Sequence, residues 1–150
     1  VFSDQRERGF RDALRQFGVA MDEDYLVSGI TRKHAGLSEE AGAEAINILL
    51  SRNKLPQALF CSNDAQAIGA IHSLKEKGYS VPGDVAVMGY DNIKITNYLN
   101  LTSVDQKMYE VGKASIKRLA ERIKNNDMKP LKTIIKPELV VRKSTLKPGN

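Results

Sequence analysis

The sequence predicts an α/β fold in which helices flank a parallel sheet. Helical and strand-like segments alternate along the chain as far as Asp91, which favours right-handed crossovers between parallel strands. Two short apolar runs, Ala58–Cys61 and Val85–Gly89, are followed at once by polar side chains. Runs of this length and composition are typical of buried strands whose carboxyl ends open into a crevice.

The first predicted helix runs from Asp4 to Phe17. Its apolar residues recur at helical spacing, Asp4 and Glu7 form a capping-box-like pair, and Gly18 suits the helix end. The elements that follow are a strand, a helix capped by a serine, a strand, a helix capped by Asn63 or Asp64, and a strand. In order, these are Tyr25–Gly29, Leu37–Ser51, Ala58–Cys61, a helix that ends at Lys77, and Val85–Gly89.

The regular alternation breaks after Asp91. Residues 92–101 are predicted as an irregular loop, and Leu101–Val104 as a short extended segment. A change of rhythm at this point indicates that the chain leaves the sheet it has been building.

The last part of the chain holds one long helix and two strand-like runs. The helix is predicted over Met108–Lys124. Gly112 lies in its interior, where glycine costs about 1 kcal/mol, so close packing is expected there. The two runs, Thr133–Ile135 and Leu139–Val141, flank Pro137, which suits an edge strand or a bend.

Polar side chains follow both apolar strands. Asn63 and Asp64 come after the first strand, and Asp91 and Asn92 come after the second. In open α/β sheets, ligands bind in the crevice outside the carboxyl ends of the strands. The sequence therefore predicts one pocket that recognises a small molecule rich in hydrogen-bonding groups.

Each of these side chains also has a structural interpretation. Asn63 and Asp64 compete for one helix cap, and the residue that does not cap is available to face a ligand or to brace a neighbour. Asp91 either caps the loop after it or accepts hydrogen bonds from two hydroxyl groups. Arg6 is either a solvated side chain of the first helix or a guanidinium aimed at paired oxygen atoms of a ligand.

The composition is that of one globular domain. The 150 residues are 41% hydrophobic and 27% charged. No apolar run approaches the roughly 20 residues of a membrane span, and no secretory leader precedes the first helix. Cys61 is the single cysteine, and we expect it to be a small buried side chain. These features predict a cytoplasmic protein with no membrane partner.

The net charge of +5 is unevenly distributed. In residues 107–150, Lys and Arg outnumber Asp and Glu by 12 to 4. A basic excess can attract nucleic acid, and the alternative is a solvated helix face followed by a basic tail.

The motifs of the common catalytic and cofactor-binding classes are missing from the sequence. His34 and His72 are the two histidines, and there is no zinc-protease, nucleophile-elbow, P-loop or dinucleotide-binding motif. The sequence therefore favours a protein that is not an enzyme and that has no cofactor and no metal site.

The helix after Asn63 has a second apolar flank. Ile68 and His72 lie about 100–140° around the helix from its core stripe. Such a flank buries either against another part of the chain or against a second copy in a dimer.

Four segments carry a resemblance to a known family. The first is the pattern Arg6-x-x-Gly9-Phe10, and the others are Ala58–Ala70, Gly78–Asn92 and Leu101–Gln106. In this order and spacing they resemble the effector-binding region of the lactose-repressor/galactose-repressor (LacI/GalR) family of bacterial transcription regulators. The resemblance runs from about Arg6 to Arg142.

The resemblance implies a periplasmic-binding-protein-like (Rossmann-like) sensor, in which two α/β subdomains close on a small ligand. Residues 1–101 and 130–144 would form the C-terminal effector-binding subdomain. Residues 102–129 would be a crossover segment and a helix that belongs to the N-terminal subdomain, and residues 145–150 would be a tail. DNA would be bound only through an N-terminal helix-turn-helix headpiece that this chain lacks.

The resemblance also implies the site residues. Arg6, Asn63, Asp91 and Gln106 match ligand-contacting positions of the family, and Asp64 matches a position that lines the site. Arg, Asn and Asp side chains together suit vicinal hydroxyls, which predicts a sugar or sugar derivative as the effector.

Two further positions bear on the effector and the assembly. The loop after Gly29 often supplies a stacking aromatic in the family, but it reads Ile30-Thr31-Arg32 here, which argues against a flat, base-like effector. The helix with Ile68 and His72 matches the dimer face of the family and implies a homodimer.

The sequence thus predicts the ligand-sensing and dimerisation part of a transcription regulator of the repressor type, and both inducer and corepressor control by the effector are compatible with it. The alternative is a sugar-binding protein of a transport system, which shares the fold class. A secretory leader upstream of Val1 would favour the transport protein, whereas a helix-turn-helix there would exclude it.

Overall fold

A computed structural model describes residues 2–28, 37–125 and 127–146, with side chains from Asp4 onward. The described helices are α1 to α5, and their bounds in chain order are Phe2–Gln16, Glu39–Ser51, Asp64–Glu76, Ile95–Leu99 and Met108–Lys124. The described strands are β1 to β4, and their bounds are Ala58–Phe60, Ala86–Asp91, Thr102–Asp105 and Glu138–Val140.

The four strands form one sheet in the order β1-β2-β3-β4. β1, β2 and β3 are parallel, which confirms the predicted parallel core of the sheet. β4 runs antiparallel to β3, with Leu139 opposite Val104, so the complete sheet is mixed. The helices α3 and α4 provide the connections between successive parallel strands.

The helices α2 and α3 cover one face of the sheet. The buried cluster there joins Ile46 and Leu49 of α2, Leu74 of α3 and Val87 of β2. Alternation along the strands directs Leu59 of β1 and both Val87 and Gly89 of β2 to this side. This layer of helix on sheet holds most of the hydrophobic core.

Two glycines let α2 and α3 approach at backbone distance. A Cβ atom on Gly69 would lie 1.8 Å from the carbonyl oxygen of Glu39, and one on Gly42 would lie 2.0 Å from that of Gln66. The helices can keep this separation only if both positions lack a side chain.

The opposite face of the sheet is covered by α1. The ring of Phe10 stacks on that of Phe60, with 5.9 Å between their centres. Met88 is the ladder partner of Phe60, and Tyr90 lies two residues further along β2, so both side chains also point to this side. α1 therefore brings its polar and aromatic residues over the ends of β1 and β2.

Four local predictions need correction. α1 already begins at Phe2, so Asp4 lies inside the first turn and does not cap it. Tyr25–Gly29 was predicted as a strand, but Glu23–Tyr25 is a 3₁₀ turn capped by Asp22. Residues 26–28 have no strand assignment, because no described segment pairs with them in a ladder.

The other two corrections concern the second half of the chain. The predicted irregular loop contains the short helix α4. Thr133–Ile135 forms no strand. The second predicted run, Leu139–Val141, overlaps the strand Glu138–Val140, which pairs with β3 as an edge strand after Pro137. Both runs are apolar. They differ in that only the second one lies alongside a strand with which it pairs.

The helix α5 leaves the sheet through a tight turn. Lys107 has a φ of 55°, and its backbone N–H donates to Oδ1 of Asp105 over 2.7 Å. This hydrogen bond lowers the pKa of Asp105. The ammonium group of Lys107 lies 2.5 Å from Oε2 of Glu138, which joins this turn to β4.

α5 exposes its apolar face. Met108, Leu119 and Ile123 are all more than half exposed, and the helix has no buried residue. Gly112 was expected to mark close packing, but a Cβ atom there would meet no described atom within 4 Å. The α5 stripe thus has no partner among the described residues.

No helix in the described parts of the chain is both long and apolar enough to cross a bilayer.

Candidate functional site

The candidate site lies at the edge of the sheet where β1 and β2 end. The two strands are parallel neighbours, with Phe60 opposite Met88. Residues 62–64, which follow β1, and residues 91–92, at the end of β2, therefore lie at the same edge, as the sequence predicts.

Arg6 reaches this edge from the second turn of α1. Its Nη1 donates a hydrogen bond to the carbonyl oxygen of Ser62, and its Nη2 lies 3.6 Å from Oδ1 of Asp91. The guanidinium carbon lies 3.9 Å from the centre of the Tyr90 ring, within the range of a cation–π contact. The structure thus brings Arg6 and Asp91 together and holds the guanidinium against the sheet.

Asp91 is the carboxylate at the centre of this group. Its Oδ1 accepts a hydrogen bond from Nε2 of Gln106. Partial burial raises the pKa of Asp91, Arg6 opposes that rise, and the negative charge of Asp64 adds to it. Arg6, Asp91 and Gln106 therefore form one polar cluster, which is called the Arg6 cluster below.

Asn63 and Asp64 take the two roles that the sequence left open between them. Asn63 caps α3, because its Oδ1 accepts from the backbone N–H of Gln66 over 2.8 Å. Asp64 is fully buried and braces its neighbours. Its Oδ1 accepts from the hydroxyl of Ser103 over 2.6 Å, and its Oδ2 accepts from the N–H of Ile93 over 2.9 Å.

Sequence reasoning missed the contribution of Arg142. Its Nη2 donates to Oδ1 of Asn92 over 2.9 Å and to Oδ1 of Asn97 over 2.5 Å. Its Nη1 donates to the carbonyl oxygen of Leu101 over 2.6 Å. Arg142 thus connects Asn92 and α4 to the end of the sheet. The sequence gives one weak signal for this role, which is the position of Arg142 directly after a strand-like run.

A cavity of about 780 Å³ lies between α1 and the sheet face that α1 covers. Arg6, Tyr90 and Gln106 contribute to its lining, and the rest is mainly apolar, including Phe10 and Met88. The residues 63, 64 and 91 do not line it. The predicted polar site therefore adjoins this cavity through Arg6 and Gln106 and is not the cavity itself.

The two predicted dimer residues differ in exposure. Ile68 is half-buried and packs against the core cluster, which matches the internal contact considered for it. His72 is exposed, and its Nδ1 lies 3.4 Å from Oε2 of Glu76 on the same helix. The surface at His72 is therefore accessible to a partner, and the part played by Ile68 in a dimer stays a prediction.

Two earlier expectations fall where the structure gives no description. The loop Ile30–Arg32, in which no aromatic was found, and His34 lie outside the described residues.

Among residues 2–28, 37–125 and 127–146, no group of three or more His, Cys, Asp or Glu side chains is placed to hold a metal ion. Burial raises the pKa of the Cys61 thiol to about 12.

Comparison with known proteins gives one consistent family. Residues 1–145 match the periplasmic binding protein-like domain family. The chain is 39% identical over 149 residues to the HTH-type transcriptional repressor PurR of Mannheimia succiniciproducens. That match covers 98% of this chain and 43% of the repressor, so the chain spans less than half of its relative's length.

Solved structures agree with this relationship. A LacI-type transcription regulator from Bifidobacterium animalis subsp. lactis superposes with a TM-score of 0.87 at 31% identity, over 97% of this chain and 51% of that one. A LacI family transcriptional regulator from Enterococcus faecium with bound ribose gives a TM-score of 0.81 at 29% identity, over 95% and 51%.

The relatives also bear on the class of protein. Their names describe them as transcription regulators and repressors. The fold, with its four-stranded sheet and flanking helices, is periplasmic-binding-protein-like, as the resemblance implied. The chain therefore belongs to the LacI/GalR family of transcription regulators and carries part of its effector-binding domain.

Proposed function

We propose that this chain forms one wall of a cleft that binds a sugar or sugar derivative and so controls DNA binding by the intact regulator. The observation that carries the proposal is the Arg6 cluster, in which a guanidinium, a carboxylate and a carboxamide meet at the carboxyl edge of the sheet. The ribose bound to the Enterococcus faecium regulator supports this class of effector.

The chemistry of the cluster suits vicinal hydroxyl groups. The Asp91 carboxylate accepts hydrogen bonds from two hydroxyls, and the Arg6 guanidinium donates to their oxygen atoms. Gln106 can donate and accept, and it already orients Asp91. Hydrogen bonds to charged groups give the larger share of affinity, since each contributes roughly 1.5–3 kcal/mol.

We further propose that residues 1–101 and 130–144 belong to the C-terminal subdomain, and residues 102–129 to a crossover and a helix of the N-terminal subdomain. The apolar stripe of α5, which lacks a partner among the described residues, supports this division. Ligand binding would then close two subdomains, and a switch of this kind works through different affinities of the ligand for the open and closed states.

The proposal includes a homodimer that meets through the exposed surface at His72 and the adjoining Ile68. The hydrogen bond from Ile93 to Asp64 places the start of α4 beside the N-terminus of α3. α4 exposes the apolar side chains of Tyr98 and Leu99, and the proposed interface includes them.

DNA would be bound by a helix-turn-helix headpiece outside this chain, and the protein would act in the cytoplasm. The repressor relatives favour this regulator over the transport protein that the sequence left as an alternative. No cofactor is needed for any step of the proposal.

A thermal-shift screen of the full-length protein against pentoses, hexoses and disaccharides, with D-ribose included, tests the effector class. We expect at least one sugar to raise the melting temperature of the wild type and of Arg8→Ala, which changes an exposed arginine of α1. The same sugar should give a much smaller rise with Arg6→Ala. An equal rise in both variants would remove Arg6 from the site.

A further inference from the structure

Asp64 is a buried carboxylate, and both of its oxygen atoms accept hydrogen bonds from other residues of the protein. Its residue surface is 0% exposed. A buried charge is costly unless hydrogen bonds satisfy it, so its partners indicate what it does. Both of its partners belong to segments that hold the turn at Asp91, namely Ser103 on β3 and Ile93 just after the turn.

The hydrogen bonds reach two successive amides. Oδ2 of Asp64 accepts the N–H of Ile93 over 2.9 Å, and Oδ1 accepts the hydroxyl of Ser103 over 2.6 Å. The oxygen of that hydroxyl accepts the N–H of Asn92 over 3.0 Å. One carboxylate thus fixes the amide of Ile93 directly and the amide of Asn92 through one serine.

The turn that these bonds hold is strained. Asp91 has a φ of 114° and Asn92 a φ of 54°, and neither residue is glycine. Non-glycine residues keep such conformations only where the surrounding structure enforces them. The two amides tied to Asp64 lie immediately after Asp91, where they can enforce both values.

Gly89 permits the close approach on which this arrangement depends. A Cβ atom at this position would lie 2.3 Å from Oδ1 of Asp64. The strand β2 can therefore pass the carboxylate closely only because residue 89 has no side chain.

We propose that Asp64 is a positioning residue, which acts through Ser103 and the amides of residues 92 and 93 to hold the Asp91 turn in the conformation that aims the Asp91 carboxylate at the effector. The consequence for ligand affinity rests on the proposed function, whereas the ordering of the turn does not. The Asp64–Ser103 pair is called the brace below.

Ser103→Ala tests the brace, and Ser144→Ala is its matched control. Ser144 is also a buried serine that bridges β2 and β3, because its hydroxyl donates to the carbonyl oxygen of Val87 and accepts the N–H of Thr102. These bonds lie at the opposite end of the strands. Both substitutions remove similar hydrogen bonds, and only Ser103→Ala removes the brace.

The first measurement is hydrogen–deuterium exchange of the full-length protein without ligand, read on peptides that cover residues 91–94. We expect exchange there to rise roughly three- to tenfold in Ser103→Ala and to stay at the wild-type rate in Ser144→Ala. Asp64→Asn keeps the side-chain shape and should give a smaller rise. Equal exchange in Ser103→Ala and the wild type would overturn the brace.

The second measurement is the affinity for D-ribose by calorimetry. If the brace acts through Asp91, Ser103→Ala weakens binding in the wild-type background and has no further effect in an Asp91→Asn background. Unchanged affinity in Ser103→Ala would overturn the positioning role. If the wild type does not bind D-ribose, that candidate effector fails, and the exchange experiment still decides on the brace.

Discussion

The contact between α2 and α3 makes a quantitative prediction at Gly69. In Gly69→Ala the new Cβ atom would lie 1.8 Å from the carbonyl oxygen of Glu39 and 2.5 Å from its carbonyl carbon. A relaxed C···O contact is about 3.3 Å or longer, so α2 and α3 must separate by more than about 1 Å at their closest point. The clashing atoms belong to the backbone, which cannot rotate away.

The expected free-energy change has two opposing parts. Alanine is favoured over glycine in a helix interior by about 1 kcal/mol. Overpacking costs about 1–3 kcal/mol in ordinary cores and more where the backbone must move. We place the cost at the upper end, because the contact is helix backbone on helix backbone, and expect a net loss of about 2 kcal/mol in the free energy of unfolding.

Urea unfolding followed by circular dichroism measures this loss, with Gly9→Ala as the control. Gly9 lies inside α1, and a Cβ atom there meets nothing within 4 Å. The control should therefore gain about 0.5–1 kcal/mol in the free energy of unfolding. A Gly69→Ala protein as stable as Gly9→Ala would refute the backbone contact between α2 and α3.

Three further predictions concern the site and its surroundings. Asn63→Ala should lower the free energy of unfolding by about 1 kcal/mol through loss of the α3 cap, while Asn63→Asp should keep the cap, and urea unfolding separates the two. Because burial raises the pKa of Asp91, sugar affinity should fall as the pH falls through that raised pKa, whereas Asp91→Asn should show no such dependence by calorimetry. The contribution of Asp91 to stability has the opposite sign, since it is present below the ordinary pKa and is lost as the pH rises through the raised one. His72→Glu should weaken the dimer in sedimentation experiments and Lys77→Glu should not, and equal dissociation of both would place the interface elsewhere.

The parallel core of the fold could be predicted because its signals are local. The runs Ala58–Cys61 and Val85–Gly89 are apolar, short and bounded by polar residues, and the helices between strands have clear stripes and caps. Where an element depends on a distant partner, the pattern was insufficient. Tyr25–Gly29 and Thr133–Ile135 both look like strands, but no described segment pairs with residues 25–28 or 133–135.

The site was predictable in position and less so in role. Parallel pairing of β1 and β2 brings Asn63 and Asp91 to one edge, and this follows from topology. Asn63 caps α3 and Asp64 braces its neighbours, and this assignment depends on the hydroxyl of Ser103, which lies 39 residues beyond Asp64 in the chain. Arg142 is another 39 residues beyond Ser103, so its contact with Asn92 leaves no local signal either.

Calorimetry with Asp91→Asn is the most direct test of the central claim that the Arg6 cluster binds the effector. The titrant is the sugar selected by the thermal-shift screen, and Asp12→Asn, which changes an exposed aspartate of α1, is the control. Because a hydrogen bond to a charged group contributes roughly 1.5–3 kcal/mol, Asp91→Asn should weaken binding at least about tenfold. Asp12→Asn should bind as the wild type does. Wild-type affinity in Asp91→Asn would contradict the proposed site.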